Sequence, residues 1–93
     1  MEKKSHMKYL VHFQFKAGTK DETLASLYPT ERIRIKELEE GGILDQFYMS
    51  HDLKQGWLVL RVSYDKEIEN IILSLPLHPF MNIQIYKLYI KDA

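Results

Sequence analysis

The sequence predicts an α+β fold in which strands and helices follow one another as strand, helix, strand, strand, helix, strand. Three observations carry that reading. Residues 8–16 alternate with a period of two. A long stripe with helical spacing follows them and ends at a pair of glycines. The second half then repeats strand, short helix and strand, punctuated by Gly56, Pro76 and Pro79.

The first strand places Tyr9, Val11, Phe13 and Phe15 on one face and Leu10, His12, Gln14 and Lys16 on the other. Ala17-Gly18 breaks it. Thr19 and Glu22 have capping-box spacing, so a helix is expected from about Lys20. It should stop at Gly41-Gly42, where glycine accepts a left-handed backbone. Pro29 falls inside and predicts a kink or a short break before Thr30. Ile43 to His51 reads as the second strand and Trp57 to Tyr64 as the third, joined by a hairpin loop over Asp52–Gly56. Asp65 is placed to cap a second helix, whose stripe is Ile68, Ile71, Ile72 and Leu75. Pro76 and Pro79 end it, and Met81 to Ile90 forms the last strand.

This order, βαββαβ, is the ferredoxin-like arrangement: a four-stranded antiparallel sheet with two helices on one face. The uncovered face is expected to display Leu10, Leu44, Tyr48, Leu58, Leu60 and Val62. So apolar a face calls for a partner, and a homodimer with sheets packed face to face is the economical answer.

Composition bounds the rest. Ninety-three residues make one domain, expected over 8–93, and a chain so short has a small core that pairing would assist. Met1 to His6 is polar and charged, and His6-Met7 resembles a cloning scar, so a disordered or cloning-derived terminus is expected over residues 1–7. Thirteen basic residues balance thirteen acidic ones, which argues against nucleic-acid binding through bulk charge. No cysteine is present, which removes disulfides, thiolate metal sites and cysteine nucleophiles. No apolar run approaches the roughly 18 residues of a membrane span, and no secretory signal is visible, so a cytoplasmic location without membrane contact is expected. The four histidines lack metal-ligand spacing.

One carboxylate is out of place. Leu24, Tyr28, Glu31, Ile35 and Leu38 recur at spacings of four and three, so they share a helical stripe. Glu31 sits at its centre, while Arg32, Arg34 and Lys36 are expected to point to solvent. A buried glutamate has a raised pKa suited to general acid–base work. The plainer alternative is that Pro29 rotates the helix and leaves Glu31 at the surface. His12, Tyr28, Tyr48, His78 and Phe80 are the candidate ligand-binding residues. Each has an equally plain use in packing or at an interface.

The segment Leu75-Pro76-Leu77-His78-Pro79-Phe80-Met81-Asn82-Ile83 resembles the Leu-Pro-Leu-aromatic-Pro-Tyr-Met-Asp-Ile segment of the muconolactone delta-isomerase family, which are dimeric α+β barrels. Glu40-Gly41 matches that family's turn after the first helix, and the likeness extends back to about Met7. The resemblance implies a homodimer, with higher assembly open, and places the family's proton-transferring carboxylate on Glu31. Where those enzymes carry Arg and His after the turn, this chain has Leu44, Asp45 and Gln46, which implies a less anionic ligand. The expected function is a proton shift beside a lactone or enone carbonyl, with Glu31 as acid and base and no metal or organic cofactor. The alternative is a non-catalytic oligomeric module that binds a small organic molecule or only itself.

Overall fold

In a computed structural model, which describes residues 7–90, the chain forms four strands and two helices in the expected order. Strand β1 is Met7–Phe15, helix α1 Asp21–Glu40, β2 Leu44–Met49, β3 Gln55–Val62, helix α2 Lys66–Leu73 and β4 Met81–Leu88. A short 3-10 turn, His78–Phe80, leads into β4. The strands lie in the order β2-β3-β1-β4, all neighbours antiparallel, which is the ferredoxin-like sheet. Met7 already belongs to β1, one residue inside the segment expected to be disordered. The remainder of that segment lies outside the described residues.

The core sits between the sheet and the helices. Tyr9, Val11 and Phe13 from β1, Leu58, Leu60 and Val62 from β3, and Met81 from β4 meet Ile68, Ile71 and Ile72 of α2. Leu75 and Leu77, just after α2, complete this cluster. The expected division of the sheet faces therefore needs correction. Leu44, Leu58, Leu60 and Val62 are buried under the helices, and only Leu10 and Tyr48 of the expected set lie on the open face. Two causes account for it. In β3 both alternating sets, Trp57 and Val59 against Leu58 and Leu60, are apolar, so alternation alone leaves the choice of face open. In β2 the register slips between Leu44 and Gln46, making Asp45 an extra, bulged residue. Past that bulge the sides exchange, so Phe47 follows Leu44 inward while Tyr48 faces out.

The helix ends also differ from expectation. Lys20, not Thr19, precedes α1, and no side chain caps it. The Thr19 hydroxyl instead donates to the Lys16 carbonyl at 2.7 Å, closing the turn out of β1. Helix α1 runs through Pro29 without a break. The proline ring is exposed, so its clash is relieved towards solvent and one backbone bond is forgone. Gly42, at φ +77°, supplies the left-handed residue that ends the helix. Asp65 precedes α2, but its carboxylate does not cap it. It accepts from the Tyr9 hydroxyl and pairs with Lys87 Nζ at 3.1 Å, tying the start of α2 to β1 and β4. Glu67 accepts the Ser63 N–H at 2.7 Å, which fixes the turn leading from β3 into α2.

The hairpin between β2 and β3 is displaced two residues from its expected place, with the turn at Ser50–Lys54. Asp52 accepts from the Ser50 hydroxyl and the Lys54 N–H, and these bonds hold Leu53 in the left-handed region at φ +62°. No helix among the described residues is long and apolar enough to cross a membrane.

Candidate functional site

The stripe on α1 is pinned to the core at its two ends and lifted from it in the middle. Leu24 and Leu38 are buried. Between them Tyr28, Glu31 and Ile35 face a cavity of about 460 Å³, within the usual range for small-molecule sites. Its floor is the inward face of the sheet: Phe13 and Phe15 of β1, Leu58 of β3 and Met81 of β4. Phe47 and Met49 of β2 form one side, Leu77 another, and Leu53 reaches in from the hairpin tip. Apart from Glu31 and Arg32, every lining side chain is apolar or aromatic.

Gly56 shapes the floor. A side-chain carbon there would lie 2.6 Å from Phe13 Cζ and 2.7 Å from Met49 Sδ. Glycine lets the Phe13 ring and the Met49 thioether lie flat against β3. Phe13 in turn meets Phe15 edge to face, with ring centres 5.5 Å apart.

Glu31 is half-buried, and its Oε1 accepts the Leu77 N–H at 3.0 Å. Pro76 explains why that donor is free. It breaks the backbone after α2, so the next N–H turns to a side chain for its partner. Burial pushes the Glu31 carboxyl above its ordinary value, while the Leu77 N–H and the charge of nearby His78 pull it down. Burial is the largest of these influences, and the net direction is up. The site thus holds a carboxyl that takes up a proton more readily than an exposed glutamate.

Of the candidate binding residues, Tyr28 lines this cavity beside Glu31. His78 stands close enough to act on the Glu31 charge. Its ring lies against the Leu75 carbonyl, with Nδ1 at 3.2 Å. Phe80 packs on the core and does not line the cavity. His12 and Tyr48 are on the opposite sheet face. His12 stacks on Trp57 with ring centres 5.1 Å apart and bonds Gln55 through Nε2 at 2.8 Å. Tyr48 donates to Gln46 on the same side. The sheet separates both from Glu31 within one chain, because even-numbered residues of β1 face away from the helices.

Sequence reasoning missed three participants. Arg32, expected to face solvent, borders the cavity, because the opening wraps partly around the exposed side of α1. The Leu77 N–H is a backbone group with no side-chain signature. Phe47 was hidden by the bulge at Asp45, which turns it inward against the simple alternation.

The whole described region matches one known family. The matching family is muconolactone delta-isomerase, and the match runs over residues 7–90. No curated protein matches the chain. A family match across both helices and all four strands, over a ferredoxin-like sheet with the expected element order, places this chain in the muconolactone delta-isomerase family.

Proposed function

We propose that the chain is a cofactor-free isomerase that moves a proton along an unsaturated lactone or enone, with Glu31 as the acid and base. The observation that carries the proposal is a single half-buried carboxyl in a cavity whose lining, apart from Arg32 at the rim, is apolar or aromatic. Ionised Glu31 takes a proton from the carbon beside the carbonyl system, and the electron pair moves into a dienolate. The neutral Glu31 then returns the proton to the far carbon, and the carbonyl reforms. No atom is gained or lost. The Leu77 N–H keeps the carboxyl in place by holding Oε1, which leaves Oε2 for the substrate. Tyr28 brings a hydroxyl to the same wall, suited to the developing enolate oxygen.

The test is solvent deuterium exchange into a βγ-unsaturated butenolide, followed by proton NMR. Glu31→Gln should lose about 10²–10⁴-fold in rate, the usual worth of a positioned acid–base group. Full activity in a folded Glu31→Gln protein would overturn the catalytic role. Binding without exchange in the unmodified chain would instead favour the non-catalytic reading, in which Glu31 is only a hydrogen-bonding group.

A homodimer belongs to the same proposal. The open face displays Leu10, Trp57 and Val59, half-buried among His12, Gln14 and Gln55, a mixed surface suited to a second sheet. Sedimentation equilibrium should give about twice the mass of one chain. A monomer at micromolar concentration would remove this part of the proposal.

A further inference from the structure

We infer that the Glu31 cavity takes an uncharged, planar, mainly apolar molecule bearing a carbonyl, and that it discriminates against the same molecule carrying a carboxylate. The inference rests on the reading that this cavity is a ligand site. It goes further by stating the ligand's charge.

The distribution of cations carries the argument. Lys8 and Arg61 both pair with Asp45, at 3.2 and 3.8 Å, and lie on the open face of the sheet. Arg34 is held by Glu37 at 3.0 Å and by the Ser74 hydroxyl at 2.9 Å. Lys87 is held by Asp65. The strand that forms one side of the cavity presents Phe47 and Met49 to it and no basic group. Arg32 is the only lysine or arginine lining the cavity among the described residues, and it is exposed at the rim, while Lys16 and Lys54 line a neighbouring cleft that meets this cavity only through Phe15, Tyr28 and Leu53.

A ligand carboxylate inside would therefore lose its water without gaining an ion pair. It would also face Glu31, a second carboxyl on the same wall, whose ionised form repels it. An uncharged ring system meets neither obstacle. Phe13 and Phe15, set edge to face, offer an aromatic surface, and Met49 and Met81 adapt to the outline of a flat ring. The ligand's carbonyl needs one donor, which the Tyr28 hydroxyl supplies while Glu31 is ionised.

Coumarin and coumarin-3-carboxylate are a matched pair of lactones that differ by the charge. Neither has a proton to shift, so binding is measured apart from catalysis. Titration of the intact chain by calorimetry at about pH 8 keeps the acid ionised. Coumarin should bind about tenfold tighter or more. Arg32→Gln should keep the preference for coumarin over the carboxylate, because the exposed rim cation does not pair with a carboxylate held inside. Phe47→Lys, at a position 41% exposed and so tolerant of a charge, should narrow or reverse the preference by placing a cation on the cavity side. Equal or tighter binding of the carboxylate, or its loss in Arg32→Gln, would overturn the inference. So would absence of coumarin binding at millimolar concentration. If coumarin fails while Glu31→Gln still abolishes proton exchange, the ligand class is wrong and the catalytic reading stands. If coumarin binds as expected and no butenolide exchanges, the reverse holds.

Discussion

The two helices cover the same sheet and do different work. Helix α2 has eight residues, and its whole stripe, Ile68, Ile71 and Ile72, is buried. Helix α1 has twenty residues and buries only Leu24 and Leu38. A helix more than twice as long would be expected to bury more, yet its central turns stand off the sheet over a cavity. The difference is written in the stripes. Three isoleucines within five residues leave α2 nothing to do but pack. Tyr28, Glu31 and Ile35 give α1 a hydroxyl, a carboxyl and one aliphatic side chain, a set that cannot close on Phe13 and Leu58 without stranding polar groups. Placing the strain-free packing in one helix lets the other keep its middle open. The two lengths fit those roles, since a long helix anchored at both ends can bridge a cavity and a short one cannot.

The largest test of this contrast is a pair of truncations. Ile71→Ala should lose about 2–5 kcal/mol, the usual range for an aliphatic deletion in a closed core. Ile35→Ala removes a half-buried side chain that touches the core on one side and the cavity on the other, and should lose less than about 1.5 kcal/mol. Urea unfolding of both variants measures the difference directly. Equal losses would mean that the centre of α1 is packed as tightly as α2, and the contrast between the helices would collapse.

What the sequence disclosed divides along the same line. The stripe of α2 was readable because its residues are all of one kind and its period is unambiguous. Glu31 was readable for the opposite reason: it is the wrong kind of residue in a clear period, and the segment from Leu75 to Ile83 independently resembled the muconolactone delta-isomerase family. Features that depend on pairing were not readable. The bulge at Asp45 changes which residues of β2 face inward, and it exists only in relation to β3. The faces of β3 were likewise assigned the wrong way round, because only its pairing with β1 sets Leu58 opposite Val11 on the helix side. Competition between partners was hidden too. Thr19 and Asp65 both had capping spacing, but the Lys16 carbonyl and the Tyr9 hydroxyl claimed them. His12 and Tyr48 fell away from the site through the same strand geometry. A residue's face in a strand is a property of the sheet, whereas its face in a helix is a property of the segment alone.

A smaller effect sharpens the comparison through pH. Burial raises the proton affinity of Glu31 in the folded chain above that of an exposed glutamate. Between the ordinary glutamate value of about 4.3 and the raised folded value, the folded state holds more protons than the unfolded one. Unfolding then releases protons, so stability falls as pH rises through that window. The benefit is complete below the window and gone above it. Glu31→Gln cannot titrate, and its amide oxygen still accepts the Leu77 N–H, so the variant should gain stability relative to the parent as pH rises. Asp52 and Asp65, whose carboxyls are held below the ordinary range, bend both curves in the other direction at lower pH. They are common to both proteins and cancel in the difference. Urea unfolding of parent and variant across the window should therefore give diverging curves, with Glu31→Gln the more stable at the neutral end. Parallel curves would place Glu31 in water and return α1 to the ordinary kind of helix that α2 already is. Divergence would mean that the centre of α1 works against folding at neutral pH, which a packing helix has no reason to do and a proton-transferring one does.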